Sequence, residues 1–206
     1  MSTKHVSILL FEGCDLLDAG GPYEVFLTAS RLAERTGEQK PFTVDTVTAD
    51  GEPVTAYGGL GLIPSAPPEV LDSSDIVIIP GAIDLAKTLG DTQLLAAVLS
   101  ASNSDRSLVA SVCTGAFLLG EVGALDDRAW TTHWEDIDVL ADRIGHEGAT
   151  RGVRWVDSDT IVTGGALSSG IALALHLVAR EASEDLAKRT ATQLDYDWTN
   201  TSLVPD

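Results

Sequence analysis

The sequence predicts a doubly wound α/β domain, a mostly parallel sheet sandwiched by helices. Three observations carry that prediction. Short, fully apolar runs rich in β-branched residues recur along the chain, as expected of strands buried on both faces. Helix-like stretches alternate with them, which is the signature of crossover connections. One apolar run, Ser107–Val112, gives way directly to a helix-compatible stretch beginning at Thr114, leaving a cysteine at the junction. Such folds place their sites at the carboxyl ends of strands.

The elements follow in order. His5–Phe11 reads as the first strand. Gly20-Gly21-Pro22 breaks the chain, and Pro22 suits the first position of a helix running to about Glu34, where its missing N–H costs nothing. Phe42–Thr48 alternates apolar and polar, as a half-buried strand does. Residues 51–68 are rich in Gly and Pro and read as turns, with a short hairpin around Val54–Ile63. Asp75–Pro80 is a buried strand, Asp91–Ala101 a helix, and Ser107–Val112 another buried strand. A helix spans Thr114–Glu121, a short strand Ala129–Thr132, and a helix Trp134–Ile144. Val153–Val156 and Thr160–Val162 flank a turn at Asp157-Ser158-Asp159. Ala166–Ala179 is apolar nearly all round and reads as a buried helix, which would make His176 a core histidine. Ser183–Leu194 is the last helix.

The 206 residues fit one domain, residues 1–206, with enough apolar sequence for a sizeable core. No run is long and apolar enough to span a bilayer, which takes about 18 residues. The N-terminus reads as a strand rather than a signal peptide. Two cysteines are too few for a disulfide framework, so free thiols and a cytoplasmic location are expected. Acids number 31 against 13 Lys and Arg, for a formal net charge of −18. That charge repels nucleic acid backbones and anionic lipid surfaces alike. The acids are scattered and lysine is scarce, a pattern that also suits a high-salt environment, where screening relieves self-repulsion.

The strongest chemical signal is Ser111-Val112-Cys113-Thr114-Gly115-Ala116. A nucleophile at a sharp strand-to-helix turn is held exposed above the sheet edge. A helix beginning at Thr114 would direct its N–H groups at the sulfur and lower the thiol pKa. The N–H of Thr114, with that of Gly81 or Ala82, would form an oxyanion hole. The second signal is Asp15-Leu16-Leu17-Asp18, just past the first strand and at the same sheet edge as Cys113. Asp18, between Leu17 and Ala19, is the candidate acid/base, whereas Asp15 reads as solvated or capping. His133, at the end of Ala129-Trp130-Thr131-Thr132, is a candidate for orienting substrate or tuning the thiol; alone, it reads better as a satisfied histidine at a helix start. No His/Cys/Asp/Glu grouping has metal-ligand spacing, so neither metal nor cofactor is expected. Gly164-Gly165 lacks the dinucleotide fingerprint and reads as helix–strand packing. Cys14 reads as a packed thiol.

These segments resemble the ThiJ/PfpI superfamily, relatives of the class I glutamine amidotransferases, whose flavodoxin-like fold is then expected. The resemblance runs through HVSILLF, LLDAGGPYEVF, DIVIIPGA, SVCTGAFLLGEVGALDDRAWTTHW and TIVTGGALSSGIALALHLVA. Cys-Thr-Gly followed by Ala-Phe-Leu-Leu-Gly, then Thr-Thr-His-Trp, is most similar to the branch holding isonitrile hydratases and the sensing domains of AraC-type regulators. The resemblance implies Cys113 as nucleophile and Asp18 as its acidic partner, where many members carry Glu. Peptidase-like relatives carry a histidine in place of Thr114, so a protease is disfavoured. His133-Trp134-Glu135 superficially matches an amidotransferase triad but follows Cys113 far too soon. The usual Pro-Gly-Gly is Pro80-Gly81-Ala82 here. Hydration of isonitriles to N-substituted formamides is the implied activity, with a small molecule as partner and a homodimer as the assembly. The alternatives are glyoxalase or deglycase-type action on 2-oxoaldehydes, and a thiol-based sensor. With the sequence ending at Asp206, no DNA-binding extension is expected.

Overall fold

In the computed structural model, which describes residues 2–203, a six-stranded sheet runs in the order β2-β1-β5-β6-β8-β7. Its strands are β1 (Lys4–Leu9), β2 (Phe42–Val47), β5 (Ile76–Ile79), β6 (Leu108–Ser111), β7 (Trp155–Ser158) and β8 (Ile161–Gly164). All neighbours are parallel except β7, which closes one edge as an antiparallel hairpin with β8. β5, β6 and β8 are buried along their whole length, which explains why the sequence spells them with apolar and small residues and no charge. A separate two-stranded hairpin pairs β3 (Val54–Thr55) with β4 (Gly61–Leu62), within the turn-rich stretch where one is expected.

The helices form two groups. α1 (Leu16–Arg35), α6 (Ser169–Glu181) and α7 (Glu184–Gln193) pack on one another; α2 (Leu85–Leu89), α3 (Thr92–Ser102), α4 (Ala116–Glu121) and α5 (Ile137–Ile144) form the other. The alternating strands and helices therefore give the fold class the sequence predicts. Among the described residues no helix is long and apolar enough to cross a membrane.

Four local expectations are corrected. α1 begins at Leu16 rather than Pro22, because the Asp15 carboxylate caps it by accepting from the Leu17 N–H. Pro22 lies inside the helix and is buried, on the seam with α6. A Cβ on Gly21 would come within 3.0 Å of Ile171 Cγ1, and one on Gly170 within 3.5 Å of Pro22 Cδ. Gly20-Gly21-Pro22 is thus shaped by helix packing rather than by a chain break. Second, Ala129–Thr132 is not a strand. Trp130 instead forms a lone bridge with Ala149, its ring buried and its Nε1 donating to the Glu147 carbonyl. Third, the hairpin turn falls at Asp159-Thr160, where Asp159 has φ 69°, so β7 extends through Ser158. Fourth, His176 is not a core residue. It stacks on Trp155 and bonds Asp157 at 2.7 Å, while Arg180 bridges the same carboxylate, because edge strand β7 leaves that face of α6 half-exposed. The sequence also gave no notice of α2.

Candidate active site

The strand order reverses between β1 and β5, the point at which folds of this kind form a crevice outside the carboxyl ends of their strands. Asp18, in the first turn of α1 after β1, reaches across it. Its Oδ2 accepts the Gly81 N–H at 3.0 Å from the loop that follows β5. Gly81 must lack a side chain: a Cβ there would lie 2.8 Å from Asp18 Oδ2 and 2.6 Å from Thr114 Oγ1. Cys113 follows β6, the next strand along.

Cys113 is the elbow the sequence suggests. It adopts φ 55°, a left-handed conformation that costs a non-glycine residue of order 1–3 kcal/mol and is tolerated where surrounding contacts over-determine it. Those contacts are explicit. The Cys113 N–H donates to the Gly165 carbonyl at 2.8 Å beyond β8, and its carbonyl accepts the Thr132 hydroxyl at 2.8 Å. Gly115 sits so close to the end of β5 that a Cβ would meet the Ile79 carbonyl oxygen at 2.5 Å. The glycine after Cys-Thr is therefore a packing requirement of the turn.

Asp18 is wholly buried (0% exposed), with Oδ1 accepting no hydrogen bond among the described residues, and the Cys113 thiol lies beside the carboxyl. Burial pushes its pKa up to about 7; the Gly81 N–H opposes that rise, the charge of Asp15 adds to it, and the thiol contact opposes it again. Cys113, 7% exposed, is pushed up to about 12, first by burial and then by the Asp18 charge, with the Thr114 N–H at the sulfur working the other way. The expected fall in thiol pKa does not occur. Cys113–Gly115 is a 3₁₀ turn and α4 behind it has only six residues, so its dipole is small beside the cost of burial. The pair therefore rests with its proton on sulfur and a carboxyl poised to take or give one near neutrality.

The expected oxyanion donors are also reassigned. Thr114 Oγ1 accepts the Ala82 N–H at 2.9 Å and donates to the Ala82 carbonyl at 2.8 Å, and Gly81 N–H is committed to Asp18. Of the three N–H groups proposed from sequence, Thr114 alone faces the sulfur. His133 turns to Asp136, with Nδ1 3.4 Å from Oδ2, and lies beside the Trp134 ring. It precedes the turn at 134–136 that leads into α5, which begins at Ile137 rather than Trp134, and its carbonyl accepts the Asp136 N–H at 2.9 Å. Cys14 is fully buried, with its pKa raised by burial. Gly164 packs as expected, its absent Cβ lying 3.1 Å from Leu173 Cδ1. Sequence reasoning missed Thr132 as the residue that fixes the elbow; its place before His133 in a polar run at a strand-like end was the available signal.

Comparison with known proteins places the chain in a family. The DJ-1/PfpI family model matches residues 4–180. The isonitrile hydratase of Pseudomonas putida is 33% identical over 192 residues, covering 93% of this chain and 78% of that protein. Among solved structures, a ThiJ/PfpI family protein from Pseudomonas syringae superposes with a TM-score of 0.80 at 25% identity, covering 100% of this chain and 77% of that one. Drosophila melanogaster DJ-1beta superposes at 0.78 with 16% identity, covering 95% and 100%, a likeness of fold. A family model that matches most of the sequence and a curated relative 33% identical over 93% of it show that this chain belongs to the DJ-1/PfpI family.

Proposed function

We propose that the protein hydrates isonitriles to N-substituted formamides, with Cys113 as nucleophile and Asp18 as the single acid/base. The observation that carries this reading is the state of Asp18: buried, anchored through one oxygen, unpartnered at the other among the described residues, and pushed up to about 7 beside the thiol. A group with that pKa both accepts and returns protons at neutral pH. The likeness to the Pseudomonas putida isonitrile hydratase supports the same reading.

The steps balance on these two residues. As sulfur attacks the terminal carbon of R–N≡C, its proton passes to the Asp18 carboxylate and then to that carbon, giving the thioimidate R–N=CH–S–Cys113. The Asp18 carboxylate next takes a proton from water as its oxygen adds to the same carbon, and delivers the proton to nitrogen. Collapse of R–NH–CH(OH)–S–Cys113 breaks the C–S bond, and the hydroxyl proton returns to sulfur through Asp18. The products are R–NH–CHO and the free thiol. Charge in the first addition gathers on carbon and nitrogen, where Asp18 neutralises it, so the sequence does without a multi-donor oxyanion hole.

That same feature disfavours the 2-oxoaldehyde alternative, whose developing alkoxide would find the Gly81 and Ala82 N–H groups already occupied. A thiol pushed up to about 12 is also a poor oxidation sensor. The test is conversion of phenyl isonitrile to formanilide, followed by chromatography. Wild-type protein is expected to turn over and Cys113→Ala to lose all measurable activity; substantial turnover by Cys113→Ala would sink the scheme.

A further inference from the structure

Beside the elbow lies a cavity of about 240 Å³ whose chemistry differs from the rest of the molecule. Thr132 and Gly165, the two residues that clasp the Cys113 main chain, both line it. Trp134, 67% exposed, and Ile137 give it an apolar wall. In a chain with 31 acidic residues, none lines this cavity, and one cation does, Arg154.

Arg154 is placed there by its backbone. Its carbonyl accepts the Gly165 N–H at 2.9 Å, so it sits directly opposite the residue that holds Cys113. Its Nη1 donates to Tyr196 Oη at 2.7 Å, with the tyrosine ring 5.9 Å below the guanidinium carbon. Among the described residues no carboxylate pairs with it, and its side-chain hydrogen-bond partner is the Tyr196 hydroxyl. A second observation is independent of it. Ser169 also lines the cavity, is 7% exposed, and its Oγ makes no hydrogen bond among the described residues. It opens the thirteen-residue helix α6, whose first N–H groups turn back to the Ala166, Leu167 and Ser168 carbonyls, which leaves the Ser169 hydroxyl as the donor there.

We infer that this cavity is a carboxylate subsite, and that the preferred substrates are isonitriles carrying a carboxylate on a short, partly apolar skeleton. This rests on the hydratase reading. The free edge of the Arg154 guanidinium and the Ser169 hydroxyl hold the carboxylate, Trp134 and Ile137 cover the skeleton, and the isonitrile carbon faces Cys113. A planar guanidinium fork matches a carboxylate in shape, and one cation with one hydroxyl in a small cavity suits a monoanion.

Two measurements test it. The first compares kcat/KM for the three isocyanobenzoates with that for phenyl isonitrile, in wild type, Arg154→Gln and Arg154→Lys. At least one isocyanobenzoate is expected to be favoured about tenfold or more, mainly through KM, as a charge-assisted contact would give. That ratio should collapse toward one in Arg154→Gln and return in part in Arg154→Lys. A wild-type ratio at or below one for all three, or a ratio untouched by Arg154→Gln, overturns the inference. The second measurement needs no turnover: Cys113→Ala is titrated by calorimetry with the matching formamidobenzoate and with formanilide. Binding of the acid that is at least about tenfold tighter, and lost on adding Arg154→Gln, supports the subsite even if no isonitrile is hydrated, in which case the hydratase reading alone fails. Equal binding of acid and neutral compound overturns the subsite and leaves that reading standing.

Discussion

Asp15 and Asp18 stand three residues apart at the start of one helix, yet they have nothing chemical in common. Asp15 sits at the rim, where its carboxylate caps α1 through the Leu17 N–H. Asp18, one turn further in, faces the crevice between β1 and β5, is fully buried, and is raised to about 7. The cysteines repeat the contrast. Cys14 and Cys113 are both buried, but of the two only Cys113 has a left-handed backbone and the Asp18 carboxyl beside its thiol. Residue type does not separate the members of either pair; which strand end each faces does.

The largest expected difference is in turnover. Asp18→Asn keeps an acceptor for the Gly81 N–H but removes the proton carrier, and should lower kcat by about 10²–10⁴-fold, whereas Asp15→Asn should stay within about threefold. Phenyl isonitrile turnover in the two variants checks this, and equal losses would erase the contrast.

Next comes the dependence of stability on pH. The folded-state pKa of Asp18, about 7, lies above the ordinary carboxylate value of 3.8, so folding favours its protonated form. Its stabilising contribution is full below about pH 4 and is lost as pH rises through about 7. The shift corresponds to roughly 4 kcal/mol at most. Asp18→Asn should therefore gain on wild type between pH 4 and pH 8 in urea unfolding, while Asp15→Asn tracks wild type. A stability difference between Asp18→Asn and wild type that does not change with pH would remove the premise.

Smaller again is the effect of crowding the meeting point. Gly81→Ala would force a methyl against Thr114 Oγ1, Thr114 N and Asp18 Oδ2, the three nearest at 2.6 to 2.9 Å. It should cost about 1–3 kcal/mol of stability and turnover as well. Thermal melts and kinetics read both; a fully active, fully stable variant would show that the crevice is looser than its geometry.

The sheet was legible because its central strands are short, buried and mostly apolar, and the elbow because a buried strand meets a small-residue turn at a cysteine. Cys113 and Asp18 could be paired from sequence alone, as both follow strands that end at one edge. What sequence could not supply was the competition for donors. Nothing in Pro80-Gly81-Ala82 announces that one N–H serves Asp18 and the next a threonine hydroxyl, because those bonds depend on side chains meeting from 32 and 63 residues away. The start of α1 was misjudged for the same reason: Pro22 obeys its packing against α6 before its local preference. The apolar pattern of α6 points His176 into the core, because a helical pattern does not reveal that the outer neighbour is an edge strand.

The Thr114 hydroxyl both receives the Ala82 N–H and gives to the Ala82 carbonyl, so one side chain acts as an extra rung beyond the ends of β5 and β6. The loop that anchors Asp18 and the turn that carries Cys113 are thereby yoked, and a displacement of either is transmitted to the other. For anyone engineering this protein, residue 82 becomes a remote adjustment for the reacting sulfur. Serine in place of Thr114 keeps the coupling, and valine cuts it without altering the shape.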